Sequence, residues 1–207
     1  MRILIGDMAA GTNTDRAMRH IVGYGDSDVI CLQGVPDKLR TPILTLEDRL
    51  GRVIQIKPGV NSAVSIKNSV SVTSPLDSVA VVPSSDKKNP MKGTYLHFLT
   101  LAFKGYFYFI GEYEGLPDQQ DPALVKQSEL LLTGVSNVKE KVVLLVNLHT
   151  GFRNIGMKIL EQKLVNVIKT HNLASEGMSI FVSSDVIVKD VKRFDVEGAR
   201  FFFGDFR

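Results

Sequence analysis

The chain has 207 residues, 44% of them hydrophobic and 23% charged, with a formal net charge of +3. These values are typical of a globular protein and exclude wholesale disorder, and the mild positive charge permits contact with phosphates without requiring it. A single cysteine excludes an internal disulfide and a cysteine-based zinc site, and the longest apolar runs are too short to cross a membrane. We therefore expect one intracellular (cytoplasmic) domain over residues 1–207, with no membrane partner.

The first part of the sequence predicts a β-α-β unit. Arg2–Gly6 is a short apolar run typical of a buried strand, and Asp28–Gln33 is a second one. Between them Thr14 can cap a helix over Asp15–Tyr24, in which apolar residues recur on one face. The consecutive apolar residues of Asp28–Gln33 indicate cover on both faces of the sheet.

The rest of the chain predicts many short strands and two further helices. The predicted strands are Arg52–Lys57, Ala63–Lys67, Val70–Thr73, Val79–Val82, a hairpin of Thr94–Phe103 and Tyr106–Glu112, then Lys141–Leu148, Met178–Ser183, Val186–Val191 and Ala199–Phe203. The helices are Pro122–Asn137 and Met157–His171. This order of elements predicts an α/β (α+β) fold, a four-layer α-β-β-α sandwich of two mixed sheets flanked by helices.

Four stretches carry a resemblance to a known family. They are Ile3–Met8 with Ser27–Gln33, Tyr106–Leu116, Val142–Thr150, and Met178–Ser184 with Phe203–Phe206. In order and spacing they resemble the endonuclease/exonuclease/phosphatase superfamily, which includes the apurinic endonucleases and DNase-like enzymes. The run Asp28–Gln33 is the most specific of them, because it resembles the family's D-V-I-x-L-Q strand.

The resemblance implies a Mg²⁺-dependent phosphodiesterase site, but most of the residues of that site are replaced. The family's strand-1 Asn falls on Asp7, and its metal-binding Glu falls on Gly34. The Asp and Asn of the G-D-x-N motif fall on Leu148 and Thr150. The His of the S-D-H motif falls on Phe206, next to Asp205, whereas the family's catalytic His or Tyr is retained as Tyr113. Gly34 cannot bind Mg²⁺, Leu148 cannot accept a proton from water, and Phe206 cannot donate to a developing negative oxygen. The resemblance therefore predicts a protein without catalytic residues, metal or cofactor.

Three functions remain open at this point. The first is a non-catalytic, nuclease-like protein that contacts nucleic acid or a protein partner through the former active-site face. The basic residues Lys189, Lys192 and Arg193 are its candidate nucleic-acid contacts. The second is a divergent phosphodiesterase or nuclease with a rebuilt site, and the third is a structural or assembly subunit. The sequence leaves the oligomeric state open.

The rebuilt site would draw on acidic and histidine residues near the ends of the predicted strands. Its catalytic residues would be Asp7, Tyr113, His149 and Asp205, and Asp7, Glu112 and Asp205 would hold Mg²⁺. This alternative requires Asp7, Tyr113 and Asp205 to lie together. In the phenylalanine-rich C-terminus, alternation predicts that Phe201 and Phe203 are buried, while Phe206 would lie at the mouth of the former site.

Overall fold

The computed structural model describes residues 1–8, 14–35, 52–56, 62–81, 94–115, 122–148, 150–173 and 178–207. Its strands in chain order are β1 Arg2–Asp7, β2 Val29–Gln33, β3 Arg52–Ile56, β4 Ser62–Lys67, β5 Ser71–Val81, β6 Thr94–Phe103, β7 Tyr106–Gly115, β8 Lys141–Leu148, β9 Leu164–Asn166, β10 Met178–Ser183, β11 Val188–Val196 and β12 Ala199–Phe206. The helices are α1 Thr14–Gly23, α2 Pro122–Ser136, α3 Thr150–Glu161 and α4 Val167–Thr170.

These elements form two compact units. One comprises Met1–Leu76 and Ile187–Arg207, and the other comprises Asp77–Val186. The described strands make two six-stranded sheets, ordered β11-β12-β1-β2-β4-β3 and β5-β6-β7-β8-β10-β9. Both sheets are mixed, since β1 and β2 are parallel in the first, β7 and β8 are parallel in the second, and their other registered pairs are antiparallel. None of the helices in the described ranges is long and apolar enough to cross a membrane.

The first sheet is covered on one face by α1. Ile21 of α1 and Leu4 and Phe201 of the sheet belong to one buried cluster, so we call this side the helix face of the sheet. Gly6 permits this packing, because a Cβ at Gly6 would lie 2.6 Å from Cδ1 of Phe201. The predicted burial of Phe201 is confirmed, whereas Phe203 is only partly buried at the edge of the cluster.

The second sheet is covered on one face by α2 and α3. Leu132 and Leu160 of these helices pack with alternate residues of β7 and β8, such as Tyr113 and Leu148. Helix α2 connects β7 to the parallel strand β8, the usual role of a crossover helix. Lys104-Gly105, both with positive φ, form the two-residue turn of the β6–β7 hairpin.

The predicted helix Met157–His171 is wrong in its bounds. Helix α3 begins at Thr150 and ends at Glu161, and a short strand, β9, interrupts the helical pattern before α4 begins. Pairing of β9 with β10 overrides the local helical periodicity. Asn166 then caps α4, because its side-chain oxygen accepts a hydrogen bond from the Lys169 amide at 3.2 Å.

The predicted boundaries of three strands also change. The predicted strands Val70–Thr73 and Val79–Val82 are parts of one strand, β5, as far as the described residues extend. Pro75 lies inside β5, where it is tolerated because β5 is at the edge of its sheet. The last two strands are longer than predicted: β11 runs to Val196, and β12 runs to Phe206.

Candidate functional site

Three polar residues lie together in the first sheet, where β1 and β2 end and β12 begins. Asp7 ends β1, the parallel strand β2 places Gln33 beside it, and the antiparallel strand β12 places Arg200 on its other side. Paired residues of neighbouring strands point to the same face of a sheet, so these three side chains share the face opposite α1. Asp7 and Arg200 are partly exposed, whereas Gln33 is only 2% exposed.

Gln33 is unusual for a buried amide. Neither its Oε1 nor its Nε2 makes a hydrogen bond within the part of the chain that the structure describes. Leaving a buried polar group unpaired costs about 1–3 kcal/mol. The next residue, Gly34, has a φ of 65° and offers no side chain where the family's metal-binding Glu was predicted to fall. Among the described residues, this end of the sheet therefore combines the Asp7 carboxylate with a guanidinium and a buried amide that makes no hydrogen bond.

Asp205 lies at the other end of the same strand pair. It is in register with Arg2, five residues before Asp7 along β1, which is a separation of roughly 17 Å. The structure therefore does not bring Asp7 and Asp205 together, as the rebuilt site required. Phe206 follows Asp205 and is almost fully buried, so the position predicted at the mouth of the site is a core residue far from Asp7.

The Asp205 carboxylate joins the two ends of the chain. Its Oδ2 accepts a hydrogen bond from Nε of Arg207 at 2.8 Å, and its Oδ1 accepts one from the Met1 amino group at 3.2 Å. The hydrogen bond from Arg207 is the main cause that holds the pKa of Asp205 below its ordinary value; partial burial opposes it, and the amino group adds to it. Asp205 therefore forms ion pairs with Arg207 and with the Met1 amino group.

The first residues of β12 lie beside Asp7. Arg200 pairs with Asp7, and the turn Glu197-Gly198 precedes it. Glu197 forms an ion pair with Arg16 of α1. Arg200 and Glu197 were not among the candidate residues predicted from the sequence, although Gly198 marks the turn that sets their position.

The three basic residues of β11 do not form one patch. Lys189 and Lys192 pair with Asp205 and Phe203, on the helix face of the sheet. Arg193 pairs with Phe202 and points to the opposite face. Its Nη2 donates to Oδ2 of Asp195 at 2.8 Å, which neutralises the charge locally.

A strip of aromatic rings lies beside the two lysines, between α1 and the edge strands. The Tyr24 and Phe194 rings are stacked, with centroids 5.0 Å apart. The exposed His20 ring lies 4.9 Å from Phe194, and Phe203 lies 5.0 Å from Tyr24. Lysines beside partly exposed rings form a surface that can contact phosphates and bases together.

In the second unit, the predicted catalytic positions are core residues. Tyr113 is fully buried and faces α2 and α3. Leu148 is 3% exposed and belongs to the same buried cluster. A Cβ built on Gly156 of α3 would lie 2.9 Å from Leu148 Cδ1, so the leucine side chain occupies the space that the glycine leaves. Thr150 begins α3, and the predicted His149 lies outside the described residues.

The residue before Tyr113 faces the other way. Glu112 is buried on the face opposite the helices and is in direct register with His97 of β6, which is also buried. The pairing of His97 with Glu112 was not predicted from the sequence. The sequence contained the information for this pair, because a two-residue hairpin turn fixes the register of β6 and β7. Counting the same number of residues back from Lys104 and forward from Gly105 leads to His97 and Glu112.

A magnesium ion needs several oxygen ligands that converge. Among the described residues, no three His, Cys, Asp or Glu side chains lie close enough to hold a metal ion. Two of the three predicted ligands, Asp7 and Asp205, lie at opposite ends of β1 and β12. Within the described ranges, the structure therefore does not bring together the three ligands predicted for Mg²⁺.

No protein-family model and no curated protein sequence matches this chain. Solved structures do match it along its whole length. An endonuclease/exonuclease/phosphatase from Bacteroides vulgatus superposes with a TM-score of 0.71 at 11% identity and covers 100% of this chain and 99% of its own. The fold is that of the endonuclease/exonuclease/phosphatase proteins. The predicted fold class is confirmed, because two mixed sheets with flanking helices make up the α/β sandwich of these proteins.

Two further endonuclease/exonuclease/phosphatase-like structures extend the similarity. The human Nocturnin catalytic domain with a bound sulfate has a TM-score of 0.69 at 14% identity, covering 100% of this chain and 93% of that one. D. rerio TDP2, complexed with a single-strand DNA product, has a TM-score of 0.66 at 13% identity, and 99% of each chain is covered. This chain thus has a nuclease-like fold.

Proposed function

We propose that this chain is a non-catalytic binding protein on a nuclease-like scaffold. The observation that carries the proposal is the burial of Leu148 against Gly156, because the resemblance assigns to Leu148 the place of the family's acid that orients or activates water. Phosphodiester hydrolysis needs a positioned base and compensation of the charge that develops on the phosphate. A core leucine supplies neither, and Gly34 has no side chain that could bind a cation.

We infer that the ligand is nucleic acid. Lys189 and Lys192 lie exposed on the face of β11 that also carries the aromatic strip of His20, Tyr24, Phe194 and Phe203. Lysines neutralise phosphates, and stacking of a base on an aromatic ring contributes about 1–3 kcal/mol. D. rerio TDP2, which shares the fold, holds a single-strand DNA product. A protein partner is the alternative ligand.

Binding of labelled single- and double-stranded oligonucleotides, followed by fluorescence anisotropy, tests this proposal. We expect weak binding that is largely independent of sequence and falls steeply with salt. The salt dependence is measured as the slope of the logarithm of the binding constant against the logarithm of the salt concentration. For a single strand, replacing Lys189 and Lys192 by Glu should reduce the magnitude of this slope by roughly 0.7 for each lysine that contacts a phosphate.

The matched control is the charge reversal of Lys126 on α2 and Lys158 on α3, which are exposed lysines outside the strip. That variant should bind as the wild type does. An absence of binding at low salt removes nucleic acid and leaves a protein partner as the ligand. Binding that survives moderate salt would instead point to apolar contacts.

The second candidate is a divergent Mg²⁺-dependent phosphodiesterase. One observation favours it: His97 and Glu112 form a buried cross-strand pair, an arrangement in which an imidazole and a carboxylate can exchange a proton. Asp7 keeps an acid at the end of β1. If this function is correct, hydrolysis of a phosphodiester depends on these residues and not on Asp205, which lies at the other end of the strand pair.

A further inference from the structure

A surface cleft of about 420 Å³ lies in the second unit, where β7 and β8 begin. It is built from the β6–β7 turn, the loop before β8 and the turn after β10, and its lining includes Tyr106, Phe107, Lys139, Glu140, Lys141 and Asp185. Leu148 is at the other end of β8, so the cleft and Leu148 lie at opposite ends of the strands of this sheet.

Two exposed aromatic residues flank the cleft, and because they are consecutive residues of β7 their side chains project to opposite faces of the sheet. Tyr106 is 56% exposed and Phe107 is 59% exposed. Single exposed apolar residues are common on protein surfaces, but two large rings beside a cleft with a charged rim have the composition of a protein interface. This surface therefore has the features of a docking site.

The Tyr106 ring is held in place before any partner binds. Nζ of Lys141 lies 4.6 Å from the ring centroid, within cation–π range. The same Nζ donates to the Asp185 carbonyl oxygen at 3.0 Å and lies 3.7 Å from the Asp185 carboxylate. An ordered ring reduces the entropy that association costs.

The charges of the lining indicate what can occupy the cleft. Lys139 and Lys141 are balanced by Glu140 and Asp185, so the lining has no net charge and does not favour a phosphate backbone or an acidic peptide. A twofold interface, by contrast, requires a surface that is complementary to itself. The lining contains the groups that such a surface needs, namely an exposed ring next to an open cleft and a lysine next to a glutamate.

We propose that this cleft is the interface through which two copies of the chain form a twofold-symmetric dimer. Phe107 of each copy enters the cleft of the other, and Lys139 of each copy faces Glu140 of the other. This proposal goes beyond nucleic-acid binding, because the cleft lining shares no residue with the lysines and rings of β11 and α1.

Sedimentation equilibrium of the full chain over a wide concentration range tests the dimer. We expect the mass to rise from 22.9 kDa towards twice that value as concentration increases. Phe107→Ser should weaken dimerisation about tenfold or more, as expected for a central aromatic residue. Leu130→Ser is the control, because Leu130 is 64% exposed on α2, outside the cleft lining, and its loss should leave the dimer unchanged.

Charge reversal provides the specific test. Lys139→Glu alone and Glu140→Lys alone should each weaken the dimer, because each brings like charges together. The double variant should recover most of the wild-type affinity. Circular dichroism would verify that every variant is folded. A chain that stays monomeric at its highest soluble concentration overturns the proposal, and so does a dimer that is insensitive to Phe107→Ser or a double variant without recovery.

Discussion

Leu148 of β8 fills the space above Gly156 of α3, so that a Cβ on Gly156 would lie 2.9 Å from Leu148 Cδ1. This contact explains a glycine inside a helix, where glycine ordinarily costs about 0.5–1 kcal/mol relative to alanine. It also places Leu148 in the core beneath α3. The same contact makes the core assignment of Leu148 testable by stability measurements.

Gly156→Ala should destabilise the protein by about 1–3 kcal/mol, because the added methyl group overpacks the Leu148 side chain. In a Leu148→Ala background the methyl group has room, so Gly156→Ala should there become neutral or stabilising. Gly134→Ala is the control: Gly134 lies on α2, nothing lies within 4 Å of an added Cβ, and we expect a stabilisation of about 0.5–1 kcal/mol. Urea unfolding of the variants measures these effects, and equal effects of Gly156→Ala in both backgrounds would refute the packing assignment.

Gln33 should be replaceable with a gain in stability. Its buried amide makes no hydrogen bond in the described part of the chain, so Gln33→Met keeps the shape and removes the desolvation cost. We expect the free energy of unfolding to rise by about 1–2 kcal/mol. Thermal and urea unfolding measure this change; a loss of stability instead would mean that the amide has a partner in the folded protein.

Asp205 should contribute stability that depends on pH. Because its hydrogen bond with Arg207 lowers its pKa below the ordinary value of 3.8, its contribution is fully present above that value. It is lost as the pH falls through the lowered pKa of the folded state. Asp205→Asn should therefore be less stable than the wild type at neutral pH, and the difference should shrink below pH 3.8. Urea unfolding across this range checks the sign, and a difference that stays constant with pH contradicts it.

Local patterns in the sequence predicted most of the strands. The consecutive apolar residues of Asp28–Gln33 gave a buried strand beside β1, and the β6–β7 hairpin was predicted from the residues around Lys104-Gly105. The helical pattern after Glu161 was misleading, because strand pairing between β9 and β10 depends on residues distant in sequence. Such pairing is invisible to periodicity within a short window.

The candidate site was less predictable, because it depends on register and on which face a side chain takes. The similarity of Phe203–Phe206 to the family's S-D-H motif suggested that Asp205 and Phe206 lie near Asp7. The turn at Glu197-Gly198 instead places Arg200 beside Asp7. Likewise, the motif directed attention to Tyr113, which faces the helices, whereas its neighbour Glu112 faces away. A shift of one residue in a strand exchanges the two faces.

Hydrolysis by the purified chain tests directly whether the protein is catalytic. Plasmid, abasic duplex and RNA should be incubated with Mg²⁺, with and without a chelator. Asp7→Ala and the control Glu129→Ala on α2 should be assayed beside the wild type. Because Leu148 and Tyr113 are core residues and Gly34 has no ligand atom, we predict no metal-stimulated cleavage above a blank preparation, and the same background for all three proteins. Mg²⁺-stimulated cleavage that Asp7→Ala abolishes and Glu129→Ala retains would contradict the proposed non-catalytic function and establish the divergent phosphodiesterase.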